Sequence, residues 1–286
     1  MNTDTKTSLR GTCDLHTHTN FSDGSLAPTA LVELACEAGL GALALTDHNT
    51  IDGLPYFLRA GEGRPIRLIP GVELSTEWRE IEIHVLALGV KESNYPAIRA
   101  LVGEMREGKR AAAEGMINDL IADGYALDRE RLSAGAMGQI NRAHIAMELM
   151  RCGYVSTREE AFDTLVSKHS KYYHRTRMLD TVSAVSFIKS IGATAVLAHP
   201  LLNVTADQLR ELLSELCPAG LDAMEVLYSE YDESQTSFSR ELVDEFGILP
   251  SGGSDFHGKN KPDIRIGCGK GNLRIPIEFA ESMKLI

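Results

Sequence analysis

Strand and helix patterns that alternate along the chain predict an α/β fold on a parallel sheet, open or closed into a barrel, with a helical insertion in its middle. Three observations carry this prediction. Short apolar runs bounded by turn residues recur at 11–16, 42–46, 67–73, 81–88, 193–198, 221–227 and 248–251, the length and punctuation of buried strands. Helical periodicity fills most of the gaps between them, as strand-helix-strand units require. Between about 95 and 163 the strand pattern lapses and helical pattern takes over.

The run 11–16 enters a stretch rich in histidine. The helix that follows, 28–38, has Pro28 at its start and Gly39 just past its end, the asymmetry that helix termini favour. Runs 42–46 and 67–73 close on Asp47-His48 and on Glu73. In 81–88, Ile81, Ile83 and Val85 alternate with Glu82 and His84, so His84 faces away from that apolar row. Helices at 99–122, 142–152 and 158–165 follow, the first stopped by Asp123-Gly124. Helices at 181–191, 205–216 and 237–246 then alternate with the last three strands. The chain divides accordingly into a first α/β part, 11–94, a mainly helical insertion, 95–178, and a second α/β part, 179–286.

Composition narrows the function. The 286 residues are 43% hydrophobic and 24% charged, as in ordinary globular proteins. A formal net charge of -11 repels a polyanion over most of the surface, which excludes long nucleic acid and an anionic membrane as partners. No apolar run approaches the length of a membrane span, and the first ten residues lack a signal-peptide core. Five dispersed cysteines form no C-x-x-C pair and read as reduced, small apolar residues of a cytoplasmic protein.

The chemistry lies where apolar runs stop. His16 and His18 are two apart, so in extended backbone they point to one side, with Asp23 of the following Asp-Gly turn able to return to them. Asp47-His48, Glu73, His199-Pro200 and Asp255-x-His257 end further runs. Functional groups in parallel α/β folds gather at the carboxyl ends of strands. Taken singly, each residue reads as a cap or a turn. Their recurrence, with six of the nine histidines in these segments, reads as a metal site. Imidazole and carboxylate without thiolate suit manganese, zinc or iron better than magnesium alone.

The segments DLHTHTNFSDGS, TDHNT, GVELS, EIHVLAL, AVLAHP and GSDFHGKNKP together resemble the motifs of the polymerase and histidinol phosphatase (PHP) family, in particular its stand-alone metal-dependent phosphoesterases. The resemblance covers about 11–90 and 180–270. It implies a distorted seven-stranded (β/α)7 TIM-like barrel and three divalent ions, commonly Mn2+, with Zn2+ or Fe2+ as alternatives. Carried over residue by residue, it implies His16, His18, Glu73 and Asp255 on one ion. Glu73, His84 and His199 fall on a second, with Glu73 bridging, and Asp23, His48 and His257 on a third. Paired ions about 3.5 to 4 Å apart can activate water and clamp the oxygens of an in-line phosphoryl displacement. The third set would stabilise charge on the departing ester oxygen, its proton supplied by water or by His257. Asp47 is expected to orient an imidazole.

The insertion carries the candidate substrate contacts. KHSKYYHRTR, 168–177, gathers cations including Lys171 with two tyrosines, and MREGKR sets Arg106 and Arg110 one helical turn apart. Guanidinium forks suit phosphate and tyrosine rings can stack on a base, although the same cations also make an ordinary solvated helix face paired with glutamates. In NRAHIAMELM, Arg142 and His144 match a Gly-Arg-Pro-His-like stretch of the family, while Asn141 and Ala143 depart from it; Arg142 is a candidate phosphate ligand and His144 a cap or a packing residue. The 168–177 stretch departs from the small residue, Tyr, Val and Pro usual in relatives, so nucleotide specificity does not transfer directly.

The expected activity is metal-dependent hydrolysis of a terminal phosphate monoester on a small phosphorylated metabolite, first of all a nucleoside 3',5'-bisphosphate. Alternatives are 5'-3' trimming of short RNA, histidinol-phosphate hydrolysis, a carboxylic ester or carbon-nitrogen hydrolase with a similar H-x-H start, and a catalytically silent metal-binding module.

Overall fold

The computed structural model describes residues 11–135, 140–175 and 178–286. Its β-strands are β1 (Cys13–Asp14), β2 (Ala42–Leu45), β3 (Arg67–Trp78), β4 (Ile81–Leu88), β5 (Leu179–Asp180), β6 (Thr194–Ala198), β7 (Ala223–Tyr228) and β8 (Leu249–Gly253). The helices are α1 (Pro28–Ala38), α2 (Leu54–Ala60), α3 (Tyr95–Ala122), α4 (Arg129–Gly135), α5 (Arg142–Arg151), α6 (Arg158–Asp163), α7 (Thr181–Ser190), α8 (Ala206–Ala219), α9 (Glu233–Phe246) and α10 (Glu278–Ser282). None of them is long and apolar enough to cross a membrane.

Two compact units emerge: the chain up to Arg99 together with Leu179–Ile286, and Ala100–Met178, with the division falling inside α3. In the first, seven strands run in the order β1-β2-β3-β4-β6-β7-β8, and β5 adds two residues beside β3. Hydrogen bonds from Leu15 N to Gly252 O (3.3 Å), Asp255 N to His16 O (2.9 Å) and His18 N to Phe256 O (2.9 Å) bring the last strand back to the first. The result is a nearly closed seven-stranded α/β barrel. Most neighbours are parallel, but β4 runs antiparallel to both β3 and β6.

That reversal follows from a hairpin that the pattern of apolar runs does not reveal. β3 continues five residues beyond Glu73 to Trp78, and Arg79 and Glu80 turn the chain with φ of 49° and 69°, both central residues left-handed as tight hairpins demand. Helices α2, α4 and α10 are likewise additional to the sequence reading. α9 begins four residues earlier than its periodicity suggests, because Asp232 and Gln235 form a capping box.

The barrel core joins Cys13, Leu15, Ala42, Ala44, Ile69, Leu86, Leu88, Val196, Ala198 and Ala223 to Leu273, Ile275, Ala280 and Met283 from the C-terminal segment. With a period of two, Ile69 shares its strand face with Glu73, Leu86 and Leu88 share theirs with His84, and Ala223 shares its with Glu225. The same rows are therefore apolar at one end of the barrel and carry ionisable groups at the other. The second unit has its own core, including Met116, Ile117, Leu120, Ile145, Leu149, Val166 and Tyr172.

Candidate metal centre

The nine residues expected as ligands come together at the polar end of the barrel. Glu73, fully buried, is the hub: its Oε2 lies 3.1 Å from His16 Nε2, 3.2 Å from His18 Nε2 and 3.1 Å from His48 Nδ1. Its Oε1 lies 2.8 Å from His84 Nδ1 and 3.2 Å from His199 Nε2. Asp255 Oδ1 adds contacts of 3.1 Å to His18 and 3.7 Å to His16. Asp23 faces His257 at 3.1 Å, His18 at 3.7 Å and His48 at 3.8 Å. Its carboxylate is half exposed while most of the other donors are buried, so solvent reaches the cluster beside Asp23.

Local backbone explains the convergence. His16 and His18 leave β1 in an extended stretch, where Gly253 of β8 lies so close that a Cβ there would sit 2.1 Å from His16 Cβ; only glycine fits. The Asp23 loop is held by Asp47, whose carboxylate accepts from Thr19 N (2.7 Å), Thr19 Oγ1 (2.6 Å) and Ser22 Oγ (2.6 Å). Asp47 thus fixes a ligand-bearing loop, rather than an imidazole as its position next to His48 suggests. At the ends of β6 and β8, His199 and Asp255 adopt φ of 28° and 56°, strained for residues with a side chain and, at His199, compounded by the following proline.

Four groups of donors lie close enough to share an ion: His18, Asp23, His48 and His257; His16, His18 and Asp255; His16, Glu73 and His199; His48, Glu73 and His84. The expected third set falls inside the first group. His84 and His199 fall in separate groups joined through Glu73.

Burial opposes charge throughout, yet the groups polarise one another. Despite burial, the Asp255 and Glu73 carboxylates raise His18 to about 9, and Glu73 with Glu82 raises His84 to about 10. Burial, aided by the charges of His18 and His84, lowers His48 to about 4. Glu73 and Asp255, although buried, are held well below the usual carboxylate range by the surrounding histidines.

Whether this donor set fits metal is tested by its unmade bonds. Among the described residues, His18 Nδ1 and Nε2, His48 Nδ1, His84 Nδ1 and His199 Nδ1 are buried without a hydrogen-bond partner, although several sit close to a carboxylate. Short distance without hydrogen-bond alignment is costly between protein groups alone. It is what lone pairs aimed at cations produce, and imidazole with carboxylate is a common donor set for divalent transition metals.

Further residues support the centre, and sequence reading passed over them. Glu225, fully buried on β7, accepts from His16 Nδ1 (3.0 Å) and from His199 N (2.7 Å). Tyr228 donates to Asp255 Oδ2 (2.8 Å), and Lys261 reaches the same oxygen at 2.7 Å. Asp14 accepts from Ser254 N, Ser254 Oγ and Gly267 N. Their signal was faint: a polar residue breaking an apolar strand in MEVLY, and a lysine inside the final motif GSDFHGKNKP.

The four expected substrate contacts all belong to the second unit. Arg110 pairs with Glu107 (2.6 Å) and Lys171 with Asp123 (2.5 Å), all exposed. Arg106 is exposed on α3. Arg142 donates to Val166 O (3.2 Å) and lies over the rings of Phe162 and Tyr173, 5.6 Å from each. His144 completes a capping box with Asn141. Tyr172 is buried in the unit's core, which removes one of the two rings expected to stack on a base. Thr176 and Arg177 of the basic stretch lie outside the described residues.

An α/β barrel whose rim collects six imidazoles and three carboxylates defines a metal-dependent hydrolase. Residues 14–180 match the family model described as the PHP domain, and the chain belongs to that family. It is 33% identical over 245 residues to a 5'-3' exoribonuclease of Haemophilus influenzae, covering 85% of this chain and 89% of the relative. It is 30% identical over 247 residues to a 3',5'-nucleoside bisphosphate phosphatase of Chromobacterium violaceum, covering 85% and 86%. A solved structure from Bifidobacterium adolescentis, described as a metal-dependent phosphoesterase, superposes with a TM-score of 0.72 at 28% identity, covering 95% of this chain and 94% of that one. The protein is a metal-dependent phosphoesterase.

Proposed function

We propose that this phosphoesterase removes a terminal phosphate from a small phosphorylated metabolite, a nucleoside 3',5'-bisphosphate first, using three divalent cations, with manganese the leading choice. Five imidazole nitrogens within 3.2 Å of one buried carboxylate carry the reading. His84 and His199 meet Oε1 while His16, His18 and His48 meet Oε2, a division that suits Glu73 as the bridge between two cations. His16, His18 and Asp255 would complete one set, His84 and His199 the second, and Asp23, His48 and His257 the third. Bound divalent cations supply water activated near neutral pH and a charge clamp for phosphoryl oxygens.

The chain's own groups prepare that chemistry. Glu225 takes the proton side of His16 Nδ1, which turns Nε2 toward Glu73. His257 Nδ1 donates to the Asp255 carbonyl at 2.8 Å, which turns its Nε2 toward Asp23, 3.1 Å away. The proton for the leaving oxygen would come from water or from His257. Asp23, at the exposed side, would hold the third cation with His48 and His257, whose charge would stabilise the departing ester oxygen. Arg106, Arg110, Arg142 and Lys171 would bind a second phosphate through their charge. Five free cysteines support a cytoplasmic setting.

A second reading, 5'-3' trimming of short RNA, is favoured by the exoribonuclease similarity. Size-graded oligonucleotides with added manganese separate the two. Phosphate release confined to mononucleotide bisphosphates supports the first reading; processive loss of nucleotides from short RNA replaces it with the second. Hydrolysis of para-nitrophenyl acetate but not para-nitrophenyl phosphate would sink both.

A further inference from the structure

We propose that Lys261 is a phosphate-binding residue of the metal centre, held in waiting by Asp255. The proposal deepens the functional reading above and rests on it.

Asp255 uses its two oxygens differently. Oδ1 faces His18, His16 and His257 at 3.1, 3.7 and 3.4 Å, the side of the cation cluster. Oδ2 receives two donors, the Tyr228 hydroxyl at 2.8 Å and the Lys261 ammonium at 2.7 Å. One donor is enough to fix the carboxylate. Tyr228 is 1% exposed and packed in place, whereas the Lys261 side chain is 39% exposed. If the ammonium leaves, Tyr228 still holds Oδ2, so the lysine can exchange partners without leaving a buried carboxylate oxygen bare.

Its stem is anchored beside the exposed edge of the cluster. The turn before it is tied to the Asp23 loop: Asn260 Nδ2 donates to Asp23 O (2.7 Å) and Lys259 N to Ser25 Oγ (2.8 Å). Ser25 N in turn donates to His257 O (3.0 Å). A lysine rooted there supplies a flexible point charge beside Asp255, and a phosphoryl group is the natural competitor for it. Phosphate bound at the cations would take the ammonium from Asp255.

The test compares wild type with Lys261→Met, Lys261→Arg and Tyr228→Phe, each saturated with manganese. Cation content, inorganic phosphate affinity by calorimetry, and kcat and KM on para-nitrophenyl phosphate are measured. Lys261→Met is expected to weaken phosphate binding about 10-fold or more and to raise KM alike, with cation content unchanged. Lys261→Arg should recover part of the loss, and Tyr228→Phe should lower cation affinity rather than phosphate affinity. Phosphate affinity within twofold of wild type in Lys261→Met would overturn the proposal. So would a loss of phosphate binding that follows cation loss and disappears at higher manganese, since Lys261 would then act through Asp255 alone. Should wild type itself neither bind phosphate nor cleave the ester, the functional reading fails first, and that result is distinct from a failure of Lys261.

Discussion

The exposed ion pairs of the second unit and the buried cluster of the barrel unit hold their charges in opposite ways. In the second unit, Glu107 with Arg110, Asp128 with Arg131 and Asp123 with Lys171 are exposed ion pairs, each with its partner a helical turn or a loop away. Such pairs are inexpensive and contribute little. In the barrel unit, Glu73 and Asp255 are buried among imidazoles, several of whose nitrogens lack aligned partners among the described residues, and His199 and Asp255 hold strained backbone. Burying charge in this way is costly unless something compensates it. The difference teaches where a ligand is needed: the surface pairs complete themselves, whereas the barrel cluster calls for cations.

The largest effect should come from breaking the cluster. His18→Ala or Asp255→Ala is expected to lower turnover by roughly a thousandfold or more, together with loss of bound cation in metal analysis. Near wild-type turnover by Asp255→Ala in metal-free buffer would erase the contrast between the units.

A smaller effect is expected one step outward. Glu225→Gln keeps the size of the side chain but removes the charge that His16 Nδ1 and His199 N share. Cation affinity should fall about 10- to 100-fold, read by titration calorimetry, while circular dichroism of the cation-free protein stays as in wild type. Unchanged affinity would mean that the two histidines are oriented by packing alone.

The cluster should also show in pH dependence. In the cation-free chain His18 is raised to about 9 and His84 to about 10. A raised histidine contributes stability that is fully present below its unfolded value of about 6.5 and is lost as pH climbs through the folded value. Stripped protein should therefore lose thermal stability between neutral pH and about 10. Cations take neutral imidazole and bind better as protons leave, so the gap in thermal midpoint between loaded and stripped protein should widen over the same range. A gap that stays constant with pH contradicts the placement of these histidines on the cations.

These tests mirror what could be read in the sequence. The seven main barrel strands were legible as apolar runs, and the nine residues from their places at or near the ends of those runs together with the motifs that resemble the PHP family. The far half of β3 was not, since Thr76, Glu77, Arg79 and Glu80 interrupt the apolar pattern while the strand pairs with β4. Asp47 misled by adjacency: next to His48 in sequence, its side chain points to the opposite side and holds Thr19. Glu225, Tyr228 and Lys261 act on partners 209, 27 and 6 residues away. The two longer pairings are set by the order of strands in the barrel, which no local pattern records.

The mildest predictions fall in the second unit and sharpen the contrast from its side. Arg142 bridges Val166 O and two aromatic rings, so Arg142→Ala should destabilise that unit by about 1 to 2 kcal/mol, seen as a lower thermal midpoint. Arg110, exposed and paired with Glu107, should tolerate alanine with no measurable change in midpoint. Kinetics then decide what the charges are for. A KM raised several-fold by Arg110→Ala, at unchanged kcat and unchanged stability, assigns that arginine to substrate, because the lost contact is made equally in the ground and transition states. An unchanged KM in both variants leaves the second unit's arginines to its own fold and puts phosphate recognition on the barrel.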